Sequence, residues 1–280
     1  MYKIVRKEQL NENIILMEID APLVAKKAEP GQFIILRVNQ EGERIPLTIA
    51  DYDREKGTIT IIFQIVGATT QLLNTKKQGE SLADFVGPLG RASELDGLKK
   101  VCVVGGGVGC AIAYPIAKKL HKLGANVTSI IGFKDREHLI LEKEFDACSD
   151  RLIAVTDDGS YGEKGFVTDA LREILESKEE FDQVITIGPI VMMKFVSQVT
   201  KEFNIKTIVS MSPIMVDGTG MCGACRISVG GETKFACVDG PDFDGHLVDF
   251  DTAIARSAMY CEQERAAHTH VCNLLKQEVQ

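Results

Sequence analysis

No apolar run in this sequence is long enough to cross a bilayer: stretches such as Ile59–Val66 fall far short of the roughly 18 residues a membrane helix needs. The first residues, Met1–Gln9, carry charge and no signal-peptide core, which points to the cytoplasm. Basic runs are missing too. With 32 Lys and Arg against 40 Asp and Glu the net charge is −8, so nothing offers the phosphate neutralisation that a nucleic-acid binder needs. Without a secretory signal, the eight cysteines read as metal ligands and reduced thiols and not as a disulfide framework. Tryptophan is absent altogether, and we have no physical account of that. No internal repeat or low-complexity segment interrupts the chain.

What is present is a chain of 280 residues, 45% hydrophobic and 26% charged, long enough for two globular domains with a substantial core. From Lys3 to about Asp96, short β-rich runs alternate with turns: Ile14–Ile19, Phe33–Val38, Pro46–Ala50, Thr58–Val66 and Leu82–Val86. This spacing predicts a small antiparallel barrel with one short helix, around Thr70–Asn74. At Leu98 the pattern changes. Strand-like runs Val101–Val104, Val127–Ile131, Leu152–Val155, Val184–Ile187 and Thr207–Met211 alternate with helical stretches Ala111–Lys122, Glu142–Ala147, Thr168–Leu175 and Val191–Glu202. Such alternation predicts a parallel sheet with helices on both faces. Gly240-Pro241 then breaks the chain, and residues from about Thr252 to Gln280 read as helical. The expected fold class is α/β plus all-β, divided at residues 1–97, 98–211, 212–250 and 251–280.

The stretch Asp217–Cys237 carries Cys222 and Cys225 with two residues between them, and Cys237 after eleven more. Two cysteines on a tight loop can put both sulfurs on one metal, and Gly218, Gly220 and Gly223 let backbone N–H groups turn toward sulfide or thiolate. The nearest candidate for a fourth ligand is Asp217, a carboxylate where iron–sulfur sites usually have a thiolate. The favoured reading is a 2Fe-2S cluster with three sulfur ligands and one oxygen ligand. Structural zinc on the same residues is the alternative, since a C-x2-C knuckle with a distant cysteine also suits tetrahedral zinc. Iron is preferred because the rest of the chain reads as a flavin and nicotinamide module.

Two further strings support that module. Gly105–Gly109 follows a strand and opens a helix, where backbone N–H groups can cradle a pyrophosphate, although it lacks the regular G-x-G-x-x-G spacing and Pro115 lies inside the helix. Alone it is equally well a tight turn. In Arg44–Ile49, an arginine can pair with a flavin pyrophosphate and Thr48 can reach the flavin N5 region; as an isolated string it reads equally as a strand with one exposed arginine. Val66–Thr70 and Gly87–Gly90 follow in the right order, adding a Gly-Thr helix start for phosphate and a turn at the barrel's exit.

R-I-P-L-T-I, V-G-A-T-T, G-P-L-G, G-G-G-V-G, D-D-G-S-Y-G, G-P-I-V-M-M and D-x4-C-x2-C-x11-C together resemble the ferredoxin-reductase superfamily over nearly the whole chain. Within it, the sequence is similar to the electron-transfer subunits of dihydroorotate dehydrogenase. It is also similar to the small subunits of NADH-dependent ferredoxin:NADP+ oxidoreductase, known too as sulfide dehydrogenase. Dihydroorotate dehydrogenase subunits carry four cysteine ligands, and the position of the first is taken here by Asp217, which favours the second group.

The resemblance implies an FAD-binding barrel over residues 1–97 and a nicotinamide-binding domain over 98–211. A 2Fe-2S lobe over 212–250 and a C-terminal helical segment complete it. Arg44, Pro46, Leu47 and Thr48 would hold the flavin, with Gly67, Thr69 and Thr70 at its pyrophosphate. Gly106, Gly107 and Gly109 would face the phosphates of NAD(H), with Asp157, Asp158 and Gly159 at one edge and Gly188, Pro189 and Met192 at the opposite rim. Asp157 and Asp158 read equally as residues solvating a turn. The resemblance further implies hydride transfer between nicotinamide and flavin, and single electrons passing on to the cluster. The partner would be a larger flavoprotein with 4Fe-4S clusters that handles NADPH and ferredoxin in electron bifurcation.

Lys134-Asp135-Arg136-Glu137 offers both signs of charge where the ribose 2′-position would lie, so the residues leave NAD against NADP open and the resemblance favours NADH. His268, His270 and Cys272 could ligate a metal but read better as a solvated tail. Cys102 and Cys148 read as core, Cys110 as packing beside the glycine turn, and Cys261 as structural. A different class of protein, a non-catalytic subunit with nucleotide as ligand and zinc as staple, is the competing expectation.

Overall fold

A computed structural model describes residues 2–278, with side chains through residue 270. The first seven strands are β1 (Tyr2–Gln9), β2 (Ile14–Asp20), β3 (Phe33–Arg37), β4 (Arg44–Asp53), β5 (Thr58–Gln64), β6 (Ser81–Leu82) and β7 (Asp84–Leu89). They pair in the order β6-β1-β2-β5-β4-β3-β7, all antiparallel. The two ends of that order, β6 and β7, are neighbours in sequence, so the sheet curls into a nearly closed barrel. Strand β2 faces β5 with Ile15 opposite Phe63, Met17 opposite Ile61 and Ile19 opposite Ile59, all buried in the barrel core. Its other face, Ile14 and Leu16, is buried against the second domain. Burial on both faces explains why this strand reads as a continuous apolar run.

Two features of the barrel depart from expectation. Strand β1 was not predicted, because its sequence YKIVRKEQ is largely charged and only Ile4 is fully buried. Besides the expected helix, found as α2 (Ala68–Thr75), a one-turn helix α1 (Pro22–Ala25) starts at a proline, where the missing N–H costs nothing.

The second sheet runs β11-β10-β9-β8-β12-β13-β16. Its parallel strands are β8 (Lys100–Gly106), β9 (Asn126–Phe133), β10 (Arg151–Thr156), β11 (Glu163–Lys164), β12 (Gln183–Ile187) and β13 (Thr207–Ser210). Val101 and Val103 of β8 pack on α3 (Cys110–Lys122), while Cys102 and Val104 pack on α5 (Val167–Glu176) and α6 (Ile190–Glu202). Alternation along one strand thus feeds two cores, as the strand period of two requires. A short α4 (Glu142–Asp146) adds Phe145 to the α3 side, and α3 continues through the buried Pro115.

Beyond β13 the chain leaves the sheet for the cysteine stretch. It forms a hairpin, β14 (Arg226–Val229) with β15 (Glu232–Phe235), then a turn of helix α7 (Ala236–Asp239). It returns as β16 (Asp242–Asp244), antiparallel to β13. Where it returns, Ser93 Oγ donates to Asp242 Oδ2 at 2.5 Å, and Asp242 Oδ1 is buried without a partner among the described residues. The predicted helical segment is two helices, α8 (Phe250–Ser257) and α9 (Cys261–Glu278), and α9 lies against α2 of the barrel. No helix among the described residues is long and apolar enough to cross a membrane.

Candidate functional site

Strand β4 sets Arg44 opposite Arg37, Pro46 opposite Ile35, Leu47 opposite Ile34 and Thr48 opposite Phe33. Pro46, Leu47 and Thr48 are half-buried and Arg44 is exposed. Thr70 Oγ1 accepts from the N–H groups of Val66 (3.1 Å) and Gly67 (3.0 Å) and donates to Gly67 O, which closes the first turn of α2. Thr69 Oγ1 donates to Glu43 Oε2 at 3.1 Å, tying the start of α2 to the start of β4. Six arginines, Arg6, Arg37, Arg54, Arg91, Arg151 and Arg172, take a carboxylate; among the described residues Arg44 has none. A free guanidinium and a helix N-terminus are each chemistry that suits a pyrophosphate.

The carboxyl ends of the parallel strands open on a cavity of about 470 Å³. Of the residues expected there, Gly106, Gly107, Asp157, Pro189 and Met192 line it. A Cβ on Gly106 would stand 2.3 Å from Met192 Sδ, so any larger residue there displaces the Met192 side chain. Gly109 and Gly188 lie one layer behind, where a Cβ on Gly109 would meet Gly188 Cα at 2.6 Å. Asp158 and Gly159 do not line the cavity: the Asp158 carboxylate accepts from Ser160 N–H and Oγ, which holds it below its ordinary range and fits the turn-bracing reading.

Sequence reasoning missed the apolar rim of this cavity, made by exposed Phe166, Val191 and Phe195, because isolated apolar residues at helix starts leave no periodic signal. The rule that ligands bind outside the carboxyl ends of parallel strands could have found them. Of the charged string after β9, Lys134 lines the cavity, whereas Asp135 caps the turn Arg136–His138 and pairs with His138 Nδ1 at 2.7 Å.

The cysteine stretch divides. Cys225 and Cys237 are buried with their sulfurs 3.1 Å apart, well beyond a disulfide bond of about 2.05 Å, and both are free thiols. Burial, and then the neighbouring Cys225, push the Cys237 thiol up to about 12. Cys222 is exposed, and half-buried Asp217 accepts from Thr219 N–H (2.9 Å) and Cys222 N–H (3.0 Å). Those two N–H groups, Thr219's first, hold the Asp217 carboxyl below its ordinary range. Gly218 sits at φ +74° with no room for a side chain, since a Cβ would stand 2.7 Å from Leu89 Cδ1 and 2.8 Å from Ile35 Cδ1. The loop is therefore seated on the barrel wall. Two of the four expected ligands are paired, while no group of three or more His, Cys, Asp or Glu side chains is gathered for a metal ion among the described residues. Three thiols and an ionised carboxylate, from the glycine-turned loop and from α7, nevertheless fit an iron–sulfur cluster by donor chemistry.

Cys225 and Cys237 share one hydrophobic core with Phe33 and Ile35 of the barrel and Met193 of α6; Met192, on the wall of the 470 Å³ cavity, packs against it. Elsewhere, Cys102, Cys110 and Cys148 are buried and Cys261 is half-exposed. His268 and His270 stand on α9, and the side chain of Cys272 lies outside the described residues.

Residues 212–249 match the family model of the iron–sulfur cluster binding domain of dihydroorotate dehydrogenase B, and residues 103–198 match that of the oxidoreductase NAD-binding domain. The chain is 47% identical over 266 residues to the dihydroorotate dehydrogenase B (NAD(+)) electron transfer subunit homolog of Thermotoga maritima, spanning 95% of this chain and 94% of that one. It is 35% identical over 249 residues to the electron transfer subunit of dihydroorotate dehydrogenase B from a Geobacillus species, spanning 86% and 94%. A chain from the solved structure of an NADH-dependent reduced ferredoxin-NADP oxidoreductase, studied for flavin-based electron bifurcation, superposes with a TM-score of 0.91 at 46% identity, spanning 96% and 97%.

Proposed function

The chain belongs to the family of dihydroorotate dehydrogenase B electron-transfer subunits and their homologues, and from that premise we propose that it is the electron-transfer subunit of an electron-bifurcating NADH-dependent ferredoxin:NADP+ oxidoreductase. It is an oxidoreductase subunit with a nicotinamide-binding domain and an iron–sulfur domain on a ferredoxin-reductase fold, which makes FAD, an iron–sulfur cluster and NAD(H) its cofactors. When bound, these groups supply hydride transfer between nicotinamide and flavin and single-electron transfer between flavin and cluster.

The chain's own residues hold and space those groups. In our reading the barrel, residues 1–97, binds FAD through Arg44, Pro46, Leu47 and Thr48, with Gly67, Thr69 and Thr70 at its pyrophosphate. Residues 98–211 take NAD(H) against Gly106, Gly107 and Gly109. Asp157, Asp158 and Gly159 edge that site, and Gly188, Pro189 and Met192 close it. Residues 212–250 carry a 2Fe-2S cluster on Asp217, Cys222, Cys225 and Cys237. Residues 251–280 follow as the C-terminal segment that carries α8 and α9. The observation that carries the proposal is the single apolar core joining Cys225 and Cys237 to Ile35 of the barrel and to Met192 at the nucleotide cavity. It keeps water out from between the three sites. Relatives of this chain serve larger enzymes; the partner we propose is a larger flavoprotein with 4Fe-4S clusters that meets ferredoxin and NADPH. Asp217, at the position where the resemblance gives dihydroorotate dehydrogenase subunits a cysteine, and the TM-score of 0.91 to the oxidoreductase chain support this assignment over a dihydroorotate-type complex.

Anaerobically purified protein, with flavin, iron and zinc quantified and spectra taken after NADH and then NADPH, tests the proposal. Flavin with iron, bleached faster by NADH, is expected. Zinc without iron would move the chain to the competing class. A second test is Asp217→Cys: thiolate donates more strongly than carboxylate, so the cluster potential should fall, and an equal or higher potential would count against Asp217 as a ligand.

A further inference from the structure

A second cavity, of about 310 Å³, shares Pro189 with the nucleotide cavity and lies between α6, the chain leaving β13, the C-x2-C loop and α8. Its walls are mostly apolar, with Met193, Met211 and Ile227 among them, and no acidic residue lines it. Two guanidiniums do, from exposed Arg226 and half-buried Arg256. Arg226 Nη1 donates to Gly223 O at 3.1 Å and Arg256 Nη2 to Ala224 O at 3.2 Å. Each guanidinium has five N–H donors, so a single carbonyl contact leaves most of them free.

Neither arginine has a carboxylate within 4.0 Å among the described residues. Arg44, whose guanidinium we assign to a phosphate, and Arg136, which stacks on Tyr161, likewise have no carboxylate, and what sets Arg226 and Arg256 apart is that they share one cavity. In a chain with 40 acidic side chains, two unpaired guanidiniums sharing one cavity point to an occupant that brings its own negative charge. The N-terminus of α6 adds to this: Ile190 lines the cavity, and the helix has no side-chain cap.

We propose that this cavity binds a small organic anion, with one carboxylate or phosphate group held between Arg226 and Arg256 and a short apolar body against Met193, Met211 and Ile227. The site is separate from the nucleotide cavity and from the expected cluster ligands. Its two arginines hold the carbonyls of Gly223 and Ala224, which lie between Cys222 and Cys225, so an anion there offsets positive charge beside the cysteine loop. Reduction of a cluster adds negative charge, so occupancy should lower the cluster's potential; this consequence rests on the function proposed above.

Titration calorimetry on the full-length, iron-loaded protein with succinate, with phosphate and with sulfate tests the site. Saturable one-site binding of succinate or phosphate is expected, the two arms separating a carboxylate from a phosphate ligand. Arg226→Gln and Arg256→Gln should each weaken it about 10-fold or more, as loss of a charge-assisted hydrogen bond does. Arg256→Lys, which keeps the charge, should retain part of it, and Lys122→Gln should change nothing. No saturable heat at tens of millimolar, sulfate binding equal to the organic anions, or undiminished binding in both Gln variants would overturn the site. An unmoved potential with bound anion would overturn the coupling. A protein without iron whose cavity still binds would count against the proposed function and leave the site standing.

Discussion

In the nucleotide cavity, Gly106 and Gly107 stand at the end of β8 and Met192 just beyond β12, two hydrogen-bonded neighbours at the centre of a parallel sheet. In the cysteine loop, residues 211–225 contain no strand or helix and turn on three glycines at positive φ, Gly218, Gly220 and Gly223. The first site is shaped by backbone pairing and side-chain packing, and its wall exists whether or not a ligand is present. The second has two sulfurs in place, Cys225 and Cys237, while Cys222 and Asp217 hold only each other's neighbourhood. Where a sheet positions the residues, geometry comes from the fold; where a loop does, the bound group must finish it.

The comparison breaks most easily at the cysteines. Cys237→Ser should remove iron to background while leaving flavin content and flavin bleaching by NADH intact, measured by metal analysis and absorbance on one sample. Loss of NADH bleaching in that variant would mean that the two sites are not independently built. Gly106→Val drives a side chain into Met192, so the KM for NADH should rise about 10-fold or more with iron retained, by steady-state kinetics and metal analysis. Equal KM values would show that the cavity wall yields.

The smallest effect sharpens the comparison at the seam between the two. Burial raises the Asp242 carboxyl above its ordinary range, opposed by the hydrogen bond from Ser93. A raised carboxyl favours the protonated form in the fold, so its contribution is full below the ordinary Asp range and is lost as pH rises through the raised value. Asp242→Asn should therefore gain stability relative to the parent as pH rises above the ordinary Asp range in urea melts, and a difference constant with pH would refute a protonated Asp242.

Much of this was legible before any coordinates. Val101–Val104 announces itself because Val101 and Val103 face one core and Cys102 and Val104 another, giving an unbroken apolar run. The cysteine spacing singles out Cys225 and Cys237, which do meet, but spacing carries no information on side-chain direction and so could not say that Cys222 would be exposed. Strand β1 hid behind Lys3, Arg6, Lys7 and Glu8, because its only fully buried side chain is Ile4. The hairpin β14–β15 was missed although its signal was present: Gly230 and Gly231, both at positive φ, join two four-residue strands as a tight hairpin turn requires. Arg256 could not have been placed beside Arg226 from sequence, since only the docking of α8 brings them to one cavity.

The chain leaves the parallel sheet at Ser210 and rejoins it at Asp242, and these two residues are register partners on adjacent strands. The thirty-one intervening residues are thus a closed excursion whose exit and entry lie about 5 Å apart, a strand spacing. An excursion pinned in this way can change its contents without disturbing the sheet that launches it, because the cost of closing a loop grows only slowly with its length. The cysteine segment is in that sense a cassette. With the ligands proposed above, exchanging Asp217 for a cysteine should leave the barrel and the parallel sheet as they are.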